Sequence, residues 1–523
     1  MADFSKLGSG FSLLSMVNLR QIVFSIFTTN WTQQEPEHKS FVIVGAGSAG
    51  LAMLKTLSDF PATRRGDWDV TLFEQRRNVG GIWLPEQETT SPPSLPETPL
   101  YPRLHTNTPV PTMTYPGFPF EEGTPLYPSH EYIEDYHRRY ADHHNLTSLI
   151  KFHHTVVAAS WVGTPAVGKW NITYRDHLNI TRYKIADHLA VATGNNHYPH
   201  IPHWRGEDDW LANHTISKPR RELLHTIWYR DPLKYANLSV LVVGYRASGS
   251  DVVKQVLPIA KKVYVSLRSP IDPSQGDIPE GVHVVPQISH FSARGITLSD
   301  GQLLEDVDAV ILGTGYENKF PFLDNGGTIV TDPAAHSNDT HKHGLVTNLR
   351  YIFPLHKHIL SLCPSYPPTA LAFIGLPIFT ANCVSDTAQS LYAVHAMLNP
   401  ELLPSREDML LELAKYEDDL RRRGFDPYNV GHRQLNGSSN DYMDSLIDHL
   451  KQKGALPDDG RKFIEPWRRA QFSHEYLKRG WLRVEELGTQ DHWLRGVKTE
   501  AQWADMMERL NAWQREWETG SRS

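Results

Sequence analysis

Cysteine is almost absent. Two occur in 523 residues, Cys363 and Cys383, with no C-x-x-C. That excludes a disulfide framework and a redox-active dithiol. Basic runs are lacking too. Lys and Arg number 52 against 59 Asp and Glu, a formal charge of −7, which argues against nucleic acid as a partner. The 27 histidines are scattered. Pairs such as His143-His144 and His153-His154 lack metal-site spacing, so no metal centre is expected. No apolar run makes a good membrane span. The best, Phe11 to Phe27, is broken by Asn18, Arg20 and Gln21. Its polar residues recur every three or four positions, which describes an amphipathic helix. Such a helix either packs on the core or makes a peripheral membrane contact. Lys6 is only a weak flank for a signal peptide.

What the chain has is two glycine-rich turns. The first is Phe41-Val-Ile-Val-Gly45-Ala-Gly47-Ser-Ala-Gly50, an apolar strand running into a turn and then a helix. Gly45 allows the turn, Gly47 lets backbone approach a pyrophosphate, and Gly50 lets helix and strand pack closely. The strand Asp69 to Glu74 follows. Glu74 lies 24 residues after Gly50, where an acid hydrogen-bonds a ribose 2′-hydroxyl. The second turn is Val240-Leu-Val-Val-Gly244-Tyr-Arg246-Ala-Ser248-Gly249. Arg246 stands at the middle glycine position, where it either crowds the pyrophosphate approach or, as a cofactor contact, pairs with phosphate from a shifted backbone. Arg268 ends the next strand, 19 residues after Gly249, and an arginine there suits the 2′-phosphate of NADP. Two such turns point to an enzyme holding two dinucleotides, typically a flavin and a nicotinamide.

Hydrophobic residues at 40% and charged residues at 21% are those of a globular chain. Strands are expected at 151–161, 170–174 and 182–192, and a helix at 131–144. The order predicts an α/β protein with two Rossmann-like domains, the second inserted into a discontinuous first. The expected division is an amphipathic extension at 1–37, the first part of an FAD domain at 38–215, an inserted NADPH domain at 216–308, the rest of the FAD domain at 309–405, and a helical extension at 406–523. In that extension Trp503, Met506, Leu510, Trp513 and Trp517 form a stripe expected to face the core. Eight N-x-S/T sequons occur, at Asn30, Asn145, Asn171, Asn179, Asn213, Asn237, Asn338 and Asn436. They hint at a secretory lumen, whereas the rest of the chain favours a cytoplasmic or membrane-associated protein.

The motifs together resemble the flavin-containing monooxygenases, class B flavoproteins, from about Phe41 to about Pro404. After the first turn, Gly80-Gly81-Ile82-Trp83 is similar to the family's second flavin-contacting segment. Leu104-His-Thr-Asn107 through Met113 resembles the loop that carries an asparagine beside the isoalloxazine. Ala192-Thr193-Gly194 and Gly313-Thr314-Gly315-Tyr316 resemble the two interdomain linkers. Leu371 to Pro377, with Gln389 downstream, resembles the closing flavin segment. The family identifier before the second turn is altered. Pro219 and Arg221 replace its phenylalanine and glycine, while His225 and Tyr229 remain.

The resemblance implies FAD and NADPH as cofactors. It implies insertion of one oxygen atom from O₂ into a small organic metabolite through a flavin C4a-hydroperoxide, by heteroatom oxygenation or hydroxylation. Gly81, Trp83, Thr193, Gly194, Ser248, Gly315 and Gln389 become cofactor contacts on that basis. Asn107 becomes the catalytic group, because its amide both donates and accepts. A Baeyer–Villiger enzyme stays open. So does a flavin-bound binding subunit that has lost NADPH use, given Pro219, Arg221 and Arg246.

Overall fold

The computed structural model describes residues 38–61, 68–213, 220–268, 278–336, 344–471 and 474–520. The 11–27 helix, Pro219 and the sequons at Asn30 and Asn338 lie outside the described residues.

The first turn is built as its sequence demands. Strand β1 (Ser40–Val44) is buried along its length and feeds helix α1 (Ser48–Asp59). Strand β2 (Asp69–Phe73) lies parallel to β1, with Val42 opposite Thr71. Helix α2 (His130–His143) follows the Pro-rich loop. Strand β3 (His188–Val191) flanks β1 on the other side, also parallel. Leu371–Phe373, two short strands before it and Ile150–Lys151 complete a seven-stranded sheet with β1 near its middle. Strands buried on both faces are apolar throughout, which is why β1 reads as an unbroken hydrophobic run.

The second turn repeats the grammar. Strand β4 (Ser239–Val243) feeds helix α3 (Ala247–Val256), and β5 (Lys262–Ser266) lies parallel beside β4. Strand β6 (Ala309–Leu312) pairs with the other edge of β4, in parallel. Val282–Val285 and Glu222–His225 close a five-stranded parallel sheet.

That pairing moves one expected boundary. Residues 309–312 belong to the inserted sheet, not to the returning FAD domain, so the insertion runs on to the Gly313–Gly315 linker. Its start moves as well, because Trp204 and Trp210 pack with Leu241 and Phe291 in the inserted core. An apolar β6 would fit either sheet, so only pairing decides. The two linkers pair with each other: Tyr198–Pro199 runs antiparallel to Tyr316–Glu317. The strand expected at 182–192 is two strands. Thr181–Ala186 joins an antiparallel sheet with Thr155–Gly163 and Gly168–Arg175, and β3 joins the parallel one. Asp187 makes the break, its carboxylate accepting from Ser40 N at 2.9 Å and Ser40 Oγ at 2.6 Å.

Helix α4 (Asn382–Leu398) packs on α1. The C-terminal helices continue that same core rather than forming a separate unit. On α5 (Glu500–Gly520), Trp503, Met506 and Leu510 are fully buried in the cluster that holds α1 and α4. Trp513 packs at its margin. Trp517 is 45% exposed, with the Arg483 guanidinium 3.2 Å from its ring centroid. Among the described residues no helix is long and apolar enough to cross a membrane.

Candidate active site

Bare backbone forms the first cradle. Gly45 has φ +103°, and a Cβ there would stand 2.6 Å from the Ala192 carbonyl oxygen. A Cβ on Gly50 would stand 1.8 Å from Gly45 O, so helix and strand meet only because neither residue has a side chain. Gly47 lies against Gly81, whose φ is +54°. The Gly47 end of α1 has no side-chain cap, which leaves its first N–H groups for an anion. Glu74 is buried at the turn. Its two oxygens accept from Ala46 N (2.7 Å) and Arg76 N (2.8 Å). Burial pushes this carboxyl up, against those backbone bonds and Arg76. A carboxylate keeps further lone pairs for a hydroxyl, so Glu74 both locks the turn and remains able to accept.

Arg76, given no role by the sequence, builds the neighbouring segment. Its buried guanidinium donates to Gly81 O (2.8 Å), Leu84 O (2.6 Å) and Pro85 O (2.9 Å). That sets Gly81 and Trp83 beside Gly47. Thr193 and Gly194 are exposed after β3, and the Thr193 Cα backs Gly45. Gln389 is fully buried. Its Oε1 accepts from Gly375 N (3.1 Å) and its Nε2 donates to Ser385 Oγ (2.8 Å). One bond at each amide end goes to protein, so Gln389 braces the Gly375 turn.

In the second cradle Gly244 and Gly249 pack as Gly45 and Gly50 do, with a Gly249 Cβ 2.0 Å from Gly244 O. Arg246 caps α3 through backbone alone, and its guanidinium lies 5.4 Å from the Phe379 ring centroid. Ser248 is half-buried one residue before Gly249. Arg268 is exposed two residues past β5. Arg221 stands at the opposite end of the sheet. It stacks on Trp210 and donates to Ala293 O at 2.9 Å, so this substitution leaves the turn untouched. His225 explains its place in the identifier. Its Nδ1 accepts from Ile227 N (3.1 Å) and its Nε2 donates to Gly315 O (3.0 Å). Burial pushes it down to about 4, so a neutral imidazole ties the strand end to the linker.

The Asn107 loop is pinned on both sides. Thr106 N donates to Pro128 O and Val110 N to Leu126 O, each at 3.0 Å. Asn107 itself is exposed, and its amide has no hydrogen-bond partner among the described residues. Just beyond, Arg468 reaches in from the C-terminal helices. Its fork donates to Pro111 O (2.9 Å), Thr114 Oγ1 (2.8 Å) and Glu500 Oε1 (2.7 Å). A cavity opens beside the cradle, lined among others by Ser48, Trp83, Met113, His137 and Cys383. His137 donates from Nδ1 to Ile133 O at 2.7 Å, and burial pushes it down to about 4. Burial pushes the Cys383 thiol up, so it is not a nucleophile at neutral pH. Behind it, burial pushes Asp386 up to about 7 against a bond from Ser48, and its Oδ2 has no partner.

The family model for flavin-binding monooxygenase-like proteins matches residues 38–271 and 275–459. The chain belongs to the flavin-binding monooxygenase family. It is 26% identical over 456 residues to the flavin-containing monooxygenase FMO GS-OX5 of Arabidopsis thaliana, covering 83% of this chain and 88% of the relative. It is 28% identical over 412 residues to the senecionine N-oxygenase of Tyria jacobaeae, covering 77% and 81%. Its fold matches the S-allyl-L-cysteine S-oxygenase of Allium sativum with TM-score 0.69 at 22% identity, over 92% and 100% of the two chains. It matches the cyclohexanone monooxygenase of Rhodococcus sp. Phi1 with TM-score 0.52 at 14% identity, over 80% and 98%.

This monooxygenase uses FAD and NADPH, and its two cradles fit them. The glycine backbone at Gly45, Gly47, Gly50 and Gly81, with the uncapped start of α1, would hold the FAD phosphates. Gly244, Gly249 and the uncapped start of α3 would hold the nicotinamide dinucleotide. Bound there, the cofactors supply hydride transfer and activation of O₂. The chain supplies placement. Arg76 holds the Gly81 segment to the first turn, His225 fixes the linker between the domains, and the pinned loop presents the Asn107 amide as a preorganised donor and acceptor. His137 and Cys383 keep the cavity uncharged.

Proposed function

We propose that this monooxygenase oxygenates a nucleophilic nitrogen or sulfur in a small organic metabolite. One observation carries the reading. Asn107 offers an uncommitted amide from a doubly pinned loop, and that loop runs on to Met113 in the wall of a cavity whose His137 and Cys383 are held neutral by burial. A lone pair on nitrogen or sulfur accepts oxygen without first losing a proton, so such a site has no need of a general base. Two relatives fit: one is named a senecionine N-oxygenase and one, from Saccharomyces cerevisiae, a thiol-specific monooxygenase. The balance is one NADPH, one proton and one O₂ consumed per product and water formed. The test is FAD-loaded protein with NADPH and ¹⁸O₂ against a tertiary amine, a thioether, a thiol and a cyclic ketone. N- or S-oxides carrying one ¹⁸O are expected. A lactone as the principal product would establish the Baeyer–Villiger alternative.

A further inference from the structure

Three arginines from three segments meet at the seam between the two sheets. Arg246 is in the second glycine turn, Arg350 is in the loop before Ile352, and Arg433 follows the Gly431 turn. Arg350 and Arg433 both rest on Asn429. Arg350 Nη1 donates to Asn429 Oδ1 at 3.3 Å, and Arg433 Nη1 to Asn429 O at 2.7 Å and Val430 O at 3.0 Å. The Arg433 segment runs beside the flavin-domain loop. Ile378 N donates to His432 O at 3.1 Å, and Gln434 N to Ile378 O at 3.0 Å. The next residue, Phe379, has φ +64° and is 53% exposed, and its ring carries the Arg246 guanidinium.

Two features of this cluster are costly without a ligand. Among the described residues, none of the three arginines pairs with a carboxylate. Burial, followed by Arg246 and Arg350, disfavours the charge on Arg433, and guanidinium does not escape such a position by losing its proton. An exposed phenylalanine in left-handed backbone is likewise an outlier of the kind found at ligand clamps.

We propose that Arg246, Arg350 and Arg433 clamp the pyrophosphate of the nicotinamide dinucleotide, closing on the second turn from both domains. The missing middle glycine is then a substitution with a function. Where a glycine lets phosphate approach backbone, Arg246 meets it with a charged fork, and Arg350 and Arg433 complete the neutralisation from the flavin domain. The inference rests on NADPH use by this family and assigns the residues that carry it here.

The decisive variant is Arg246→Gly, which restores the family's turn. An arginine that merely crowds the site predicts tighter dinucleotide binding. A clamp predicts weaker binding. The measurement is the Kd of NADP⁺ and of NAD⁺ for FAD-loaded protein, read from flavin fluorescence, with flavin content reporting the fold. Arg246→Gly and Arg350→Gln should each raise both constants about tenfold, the scale of one lost charge-assisted hydrogen bond. Arg433→Gln should do the same if it retains FAD, and Arg350→Gln decides if it does not. Arg268→Ala should weaken NADP⁺ alone, since only NADP⁺ carries the 2′-phosphate. Inorganic pyrophosphate should compete with NADP⁺ in the wild type and lose that competition in Arg246→Gly. Unchanged or tighter binding in Arg246→Gly, with normal binding by the wild type, would overturn the clamp alone. A wild type that binds neither dinucleotide would overturn NADPH use with it.

Discussion

Asp386 is a carboxyl that the fold separates from its charge. It sits inside α4, fully buried, one oxygen toward Ser48 and the other without a partner. Its pKa rises from the usual 3.8 to about 7. The folded state therefore holds a proton that the unfolded chain has already released, and stability falls as pH rises between those values. Above about 7 the penalty is complete; below 3.8 it is absent. Asp386→Asn removes the titration. Relative to wild type it should gain about 2–3 kcal/mol in stability between pH 5 and pH 8, at 1.36 kcal/mol per pKa unit. Thermal unfolding of the FAD-free protein at the two pH values measures this, and a pH-independent difference would contradict it. Asn107 makes a different prediction. Asn107→Ala should keep FAD, because no protein contact is lost. It should release hydrogen peroxide in place of product, since one preorganised donor at a reacting oxygen is worth roughly 2.7–4 kcal/mol. The ratio of peroxide to NADPH consumed reads it directly, and an unchanged ratio would return Asn107 to a turn residue. At this scale the sequence shows what a local pattern contains. Glu74 sits at a fixed offset from the first turn, and Asn107 stands out only through the resemblance of its loop to the family's. Arg76, Asp386 and Arg468 have no such offset, because their roles come from neighbours that only folding supplies.

Among elements, the short buried turn Val110–Met113 depends on a contact from far along the chain. It follows the Asn107 loop directly, and a residue more than 350 positions away holds it through Arg468. The family model stops at residue 459, so Arg468 and Glu500 lie beyond the segment it matches. Removing Arg468 would leave Glu500, a carboxyl already pushed up by burial, without its cation. A fully buried pair broken in this way costs about 3–5 kcal/mol, and Glu500, only half-buried, should cost less. Arg468→Met should therefore lower stability and, where FAD is retained, loosen the Asn107 loop so that peroxide release rises. Arg468→Lys should recover part of the stability but little of the coupling, because lysine restores charge without the planar fork. Equal recovery of both would reduce Arg468 to a packing residue. The helical stripe on α5 was legible from periodicity, and so was the burial of Trp503, Met506 and Leu510, though not of Trp517 at the exposed end. Its target was not, since the same stripe would fit any apolar surface.

Across the whole molecule, the two nucleotide units were visible as repeated strand, turn and helix. Their boundary was less so. Strand β6 is apolar on both faces, and hydrophobicity alone does not say which parallel sheet receives it. The excess of sequons has a structural contribution of its own. Asn145, Asn179, Asn237 and Asn436 are exposed and adopt positive φ, a conformation asparagine tolerates better than most residues. Turn geometry thus gives a reason for asparagine at those four positions independent of any glycan.

The paired linkers carry a consequence for how such proteins diversify. Tyr198–Pro199 and Tyr316–Glu317 lie side by side, so the chain leaves the flavin domain and comes back at one place. The adjoining Gly315 carbonyl is held by both His200 N and His225 Nε2. The inserted unit is a cassette on a single stem whose cut ends are about one strand spacing, roughly 5 Å, apart. Recombination between relatives at this stem would exchange the inserted nucleotide unit in one step, while Arg350, Arg433, the Asn107 loop and its Arg468 brace stay with the flavin domain. An exchanged unit would keep its own glycine turn and Arg268 but meet the host's Arg350 and Arg433, so a graft succeeds only where both sides of the seam match.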